Sequence, residues 1–231
     1  MRLERFELYP QLVAVFTGRQ EGNLAGHTGQ DPERVARNRE RLAAELGMAP
    51  ERLGLMRQVH SAVVAPVAEP GAQPPEADGL VDASGLRAPV VLTADCVPVL
   101  FAARAGAVAL LAAAHAGRKG LLDGVLLETA RQLESAGGTG LEAWIGPSIC
   151  GACYEVPAQM QVDSEARMPG ISATTSWGTP SLDLVGAAAT QLRSLGVAVH
   201  STGICTLHDE GYFSYRGADA SPRNASLVYS L

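Results

Sequence analysis

Apolar and polar positions along this chain recur with two different periods, and each change of period marks an element. The segment "DPERVARNRERLAAELG", residues 31–47, repeats at helical spacing. Asp31 is placed to cap it, Pro32 suits the first helical position and Gly47 suits the stop. Residues Gly54 to Val64 read as extended, and the Pro-rich stretch Ala65–Glu76 reads as a surface loop. Three apolar runs follow, Gly79–Val81, Val90–Phe101 and Ala107–His115, and their continuity suits strands covered on both faces. Leu121–Ser135 carries leucines and Val125 on one stripe, which predicts a helix ended by Gly137–Gly138. "LEAWIGP" reads as a short strand, "SLDLVGAAATQLRSLG" as a helix stopped by Gly196, and "VAVHSTGICTL" as another strand. The last segment mixes a polar loop with a closing strand. Helices and strands thus alternate without a strict βαβ rhythm, so the class is α/β or α+β with mixed sheets. Neither a G-x-G-x-x-G turn nor a G-x-x-x-x-G-K-[ST] loop is present, and there is no internal repeat.

The size and the charge narrow this picture. A chain of 231 residues with 47% hydrophobic and 18% charged residues fits one globular domain over residues 1–231. A net charge of −6 without a long basic run argues against nucleic acid as the partner. The arginines near Arg34–Arg41 alternate with Glu33 and Glu40 as on a solvated helix face. "MRLERFELYPQL" lacks the apolar core of a signal peptide, and the longest apolar run, Ala105–Ala116, is too short to span a bilayer. These features predict a cytoplasmic protein with no membrane partner. There, Cys96, Cys150, Cys153 and Cys205 are thiols or metal ligands before they are disulfides.

Candidate chemistry centres on "VVLTADCVPVLF", where Asp95 and Cys96 interrupt a strand-like run. In a regular strand the two side chains point to opposite faces. His60 ends "LMRQVH", and His115 ends an apolar strand before the glycine turn "AGRKG", a common place for a site. Brought together, His60, Cys96 and His115 make a His2Cys set, which suits zinc with one open coordination position. Copper is the rival, because His2Cys with an axial Met suits a blue-copper centre, and Met56 is near His60 in sequence. Asp95 reads as a hydrogen-bonding residue or an orienting one, and Asp78 of "EADGLV" as a turn former. Cys150-x-x-Cys153 has neither a thioredoxin-type context nor a second C-x-x-C, and reads as a glycine turn with buried thiols. Arg19, Lys119 and Arg216 are cations beside strand ends or a helix start and are candidates for holding an anion.

In order along the chain, "QVHS", "ADGLV", "LTADCVPVLF", "AAAHAGRKG", "IGPSICGACYEV" and "CTLHDEGYFSYRG" resemble the YfiH-like proteins. This family is labelled polyphenol oxidase or laccase-domain, and FAMIN is its mammalian member. "FTGR" and the segment from "NLAGHTGQ" through the first helix extend the resemblance over nearly the whole chain. It implies a layered α/β/β/α fold, a monomer or homodimer, and zinc on His60, Cys96 and His115, which are also the catalytic residues. It further implies phosphorolysis of adenosine, inosine and methylthioadenosine to the base and the (methylthio)ribose 1-phosphate, with adenosine deamination beside it. The chain departs from the family in "HAGRKG", where "HAGWRG" is usual, and in Arg216-Gly217, where "FSYRR" is usual. A lysine at 119 keeps a point charge without a bidentate fork. Two other functions stay open: a Cys96-dependent amide hydrolase, such as a cell-wall precursor editing enzyme, and a non-catalytic metal-binding protein. Multicopper phenol oxidation is disfavoured, because it needs many more histidines than the five present, and no H-x-H pair occurs.

Overall fold

The computed structural model describes residues 4–9, 11–26, 28–217, 219 and 222–231, so His27 lies outside the described residues. Strands β1 (Glu4–Tyr9), β2 (Leu12–Phe16), β3 (Leu53–Gly54), β4 (Val64–Pro66), β5 (Gly79–Asp82), β6 (Ala88–Thr93) and β7 (Val97–Ala105) are followed by β8 (Val108–Ala116), β9 (Thr139–Ile145), β10 (Ser172–Thr174), β11 (Pro180–Leu182), β12 (Ala198–Ser201) and β13 (Asn224–Ser230). The helices are α1 (Pro32–Glu45), α2 (Arg118–Asp123), α3 (Val125–Ser135), α4 (Ala158–Arg167) and α5 (Leu184–Arg193).

Two mixed sheets stack face to face. One has the order β1-β2-β13-β6-β3 and the other β12-β9-β7-β8-β5-β4. Side-chain alternation sorts residues into three apolar layers. In β2, Val13 and Val15 pack with Leu42, Ala43 and Leu46 of the α1 region, while Leu12, Ala14 and Phe16 face the second sheet. In β7, Leu100 and Ala102 meet the first sheet, while Val97, Val99, Phe101 and Ala103 pack under Leu121, Leu126, Leu133 and Leu192 of α2, α3 and α5. The result is the α/β/β/α layering that the resemblance implies. Strands of both inner layers are covered on two sides, which explains their unbroken apolar runs. No helix among the described residues is long and apolar enough to cross a membrane.

The structure corrects four expectations. Val90–Phe101 is not one strand: β6 ends at Thr93 in the first sheet and β7 starts at Val97 in the second. Ala94, Asp95 and Cys96 form the turn between them, with Asp95 at φ 88°, so the opposite-face argument does not apply. The helix expected over Leu121–Ser135 begins at Arg118 and breaks at Gly124, whose φ of 93° belongs to the left-handed region that glycine tolerates. Of the strand expected over "VAVHSTGICTL", only Ala198–Ser201 pairs with β9. The extended segment Gly54–Val64 contributes only the last residue of β3 and the first of β4, with a loop between them that carries His60.

Candidate active site and metal centre

The site lies where the chain passes from one sheet to the other. Cys96 ends the β6–β7 turn. His115 sits near the end of β8, opposite Pro98 of β7 in the antiparallel register. His60 comes from the β3–β4 loop, which Gln58 clamps to β6: its amide donates to the Leu92 carbonyl and accepts from the Leu92 N–H, each at 2.8 Å. The possible ligand atoms of His60, Cys96 and His115 all lie within 4.8 Å of one another. Cys96 Sγ is 3.9 Å from His60 Nε2, and the two imidazole rings meet edge to face at 4.7 Å between centroids.

Asp78, at the start of β5, organises this cluster. It is fully buried, and its carboxylate is 2.8 Å from His115 Nδ1. It also accepts from the N–H groups of Val59, His60 and Ser61 and from the Ser61 hydroxyl. Those bonds hold His60 at φ 59°, a left-handed conformation that costs a non-glycine residue on the order of 1–3 kcal/mol. Burial opposes the ionisation of Asp78, but the hydrogen bonds from His115 and Ser61 outweigh it and keep the carboxyl well below the usual range.

The same balance operates on the other members. Burial alone would raise the Cys96 thiol, yet His115 and then His60 bring it down to about 6. Burial disfavours a charged His115, yet the Cys96 thiolate and Asp78 raise it to about 9. Each of the two groups thus favours the charged form of the other. Gly117 makes the cluster possible sterically: a Cβ there would stand 2.8 Å from His60 Cδ2 and 3.2 Å from Cys96 Sγ.

These residues line a cavity of about 320 Å³, within the range of small-molecule sites. Tyr154, Tyr215, Leu92, Ile149 and Leu184 supply aromatic and apolar wall, and Arg216 and Arg223 supply positive charge. The Arg216 guanidinium lies 4.9 Å over the Tyr154 ring and donates to the Glu155 carbonyl at 2.8 Å. Its backbone N–H donates to Asp95 Oδ2, while the Thr206 and Ser214 hydroxyls donate to Asp95 Oδ1, each at 2.7 Å. Asp95 thus ties the β12–β13 connection to the turn that carries Cys96.

Of the three candidate anion-binding cations, Arg216 is on the cavity wall. Arg19 instead pairs with Asp219, donates to the Glu210 carbonyl and lies over Phe213, and Lys119 pairs with Asp123. Neither lines the cavity. Sequence reasoning undervalued Asp78, since an Asp-Gly pair has an ordinary turn explanation. It missed Tyr154, Tyr215 and Arg223 altogether, because nothing in their spacing sets them apart.

The family model described as multi-copper polyphenol oxidoreductase laccase matches residues 15–230. The chain belongs to this family. Relatives of this laccase-labelled family include a purine nucleoside phosphorylase of Streptomyces griseus, 41% identical over 90% of this chain and 87% of the relative. Another, from Mycobacterium bovis and also named a purine nucleoside phosphorylase, is 44% identical over 90% and 84%. Among solved structures, a Neisseria meningitidis protein of the DUF152 family superposes with a TM-score of 0.87 at 32% identity, covering 100% of this chain and 99% of its own. YlmD of Geobacillus stearothermophilus gives 0.85 at 28% identity, covering 96% and 93%.

The donor set suits a metal ion in itself. Two imidazoles and a thiolate match zinc, and the carboxylate behind His115 is the partner that metal-bound histidines commonly have. The histidine count bears on the multicopper centre that the family's name implies. The full chain has five histidines, and His200 and His208 are engaged elsewhere, with Glu142 and Cys153.

Proposed function

We propose that the protein is a zinc-dependent purine nucleoside phosphorylase that uses this cavity. The observation that carries the reading is the convergence of His60, Cys96 and His115 at the floor of a cavity walled by tyrosines and arginines. The names of the relatives point to the same chemistry. In the reaction, a phosphate oxygen bonds to the ribose C1′ while the bond from C1′ to the purine nitrogen breaks. The electron pair leaves with the base, which takes up a proton.

The chain's own residues divide the work. Asp78 fixes the ring of His115 and the backbone of His60, and its five hydrogen bonds make it a positioning residue. Tyr154 and Tyr215 offer ring faces to a purine. Arg216 and Arg223 offer positive charge to phosphate. Zinc held by His60, Cys96 and His115 would supply Lewis-acid polarisation of an oxygen at the cavity floor. We extend the reading to adenosine, inosine and methylthioadenosine as substrates, and to adenosine deamination at the same centre. Four cysteines without disulfides fit a reducing compartment, so we infer a cytoplasmic location.

The test is product analysis of the purified protein beside its metal content. Release of base from adenosine or inosine should require phosphate and yield ribose 1-phosphate, and His115→Ala should lose both zinc and turnover. Base release that ignores phosphate, or turnover that survives complete metal removal, overturns the reading.

One observation favours a second reading. His115 lies between Asp78 and Cys96, the order of a cysteine hydrolase. An amide hydrolase of this kind works without metal and is silenced by alkylation of Cys96, whereas the phosphorylase is silenced by chelation.

A further inference from the structure

The C-x-x-C at Cys150–Cys153 has a partner that the sequence hides. A parallel bridge joins Ser148 to Cys205: the Ser148 N–H donates to the Ile204 carbonyl at 3.2 Å, and the Thr206 N–H donates to the Ser148 carbonyl at 3.1 Å. This register brings Cys205-x-x-His208 against Cys150-x-x-Cys153. The sulfurs of Cys150, Cys153 and Cys205 all lie within 4.8 Å of one another, and His208 Nε2 is 3.1 Å from Cys153 Sγ.

The backbone around the four residues is shaped alike on both sides. The Cys153 N–H donates to the Cys150 carbonyl at 2.9 Å, and the His208 N–H donates to the Cys205 carbonyl at 3.1 Å, so each pair brackets a tight turn. The Cys150 N–H also points at Cys205 Sγ, at 3.4 Å. A disulfide would use two sulfurs and leave the third thiol and His208 without a purpose. All four cysteines are free here.

We propose that Cys150, Cys153, Cys205 and His208 form a second metal site, a closed Cys3His site for zinc that is structural rather than catalytic. Four protein ligands leave no open position, which separates it from the three-ligand cluster in the cavity. Ligands on one tetrahedral zinc stand about 3.8 Å apart sulfur to sulfur, so the three sulfurs need only a small contraction, while the exposed His208 ring, now against Cys153, turns toward the other two. The site would lock the loop after β9 to the loop after β12. Both loops build the cavity: Ile149 and Tyr154 flank the first turn, and Thr206 and Arg216 reach Asp95 from the second. The inference concerns metal binding and stands apart from the nucleoside reading.

The experiment is elemental analysis of the full chain, purified with reductant, together with cobalt substitution. The wild type should hold about two zinc per chain, and the double variant His60→Ala, Cys96→Ser should keep about one. Cobalt loaded into that double variant should give an intense thiolate-to-cobalt absorption band. The same double variant with His208→Ala added alters a solvent-exposed ligand and should release its metal at least tenfold faster to a chelator. Cys153→Ser in the wild-type background should reduce the content from about two to about one. Two outcomes overturn the proposal. One is a double variant that folds, by circular dichroism, but retains no metal. The other is a disulfide between any two of these cysteines in protein whose thiols were blocked by alkylation at lysis.

Discussion

His115 Nδ1 stands 2.8 Å from a carboxylate oxygen of Asp78, and that same oxygen accepts the backbone N–H of His60 at 3.0 Å. One buried carboxylate therefore sets both the ring of one histidine and the backbone of the other. Asp78→Asn keeps the shape but places an N–H2 group against N–H donors. Metal affinity, measured by competition with a chelator, should fall about 10- to 100-fold. Folding stability should drop by about 1–3 kcal/mol, measured by urea unfolding of the metal-free protein.

Gly117 gives a cleaner separation of site from fold. Its φ of −66° is open to any residue, so Gly117→Ala brings no backbone strain. The added methyl meets His60 and Cys96 instead. His60 is exposed and can swing away, so the unfolding midpoint of the metal-free protein should hardly move while zinc content falls severalfold.

The Cys96 thiol predicts a pH profile for the metal-free protein. The thiolate is the reactive form, and it is favoured above the pKa of the group. With that pKa lowered to about 6, alkylation by iodoacetamide should stay fast at neutral pH and decline only as pH falls below about 6. An ordinary thiol would already slow below about pH 8.5. Zinc should suppress the reaction, and His115→Ala should move the midpoint upward. A midpoint above pH 8 in metal-free wild type would contradict the mutual support of the two charged forms.

Asp95 links Arg216 to the cavity floor, which predicts a graded series. Asp95→Ala breaks three hydrogen bonds to a buried carboxylate and should destabilise the fold by about 2–4 kcal/mol. Arg216→Ala leaves that network's backbone donor in place. If Arg216 meets phosphate, the variant should raise the KM for phosphate about tenfold or more while the unfolding midpoint stays near wild type. Arg216→Lys should recover part of the loss. An unchanged KM for phosphate would remove Arg216 from the binding site.

The elements were legible where one local signal dominated. Asp31, Pro32 and Gly47 marked α1 because caps act within a few residues, and the two-sided burial of β7 and β8 showed as continuous apolar runs. The β6–β7 boundary was missed because apolar residues run on both sides of Asp95 and Cys96, and one carboxylate, with no glycine or proline from Thr93 to Val97, does not by itself mark a change of sheet. α4 escaped notice as well, since Ser164 is its one buried residue and it shows no clear apolar stripe.

By itself, the sequence determined the α/β class, the strong helix ends, the scarcity of histidines that disfavours a multicopper centre, and the three residues His60, Cys96 and His115 as candidates. These follow from composition and from interactions between near neighbours. Only the tertiary structure decided what meets what. Asp78 reaches His115 across 37 positions, Asp95 reaches Ser214 across 119, and Cys153 reaches His208 across 55. Such contacts are set by strand register and sheet packing. A carboxylate or thiol carries no mark in the sequence of the partner that the fold will bring to it.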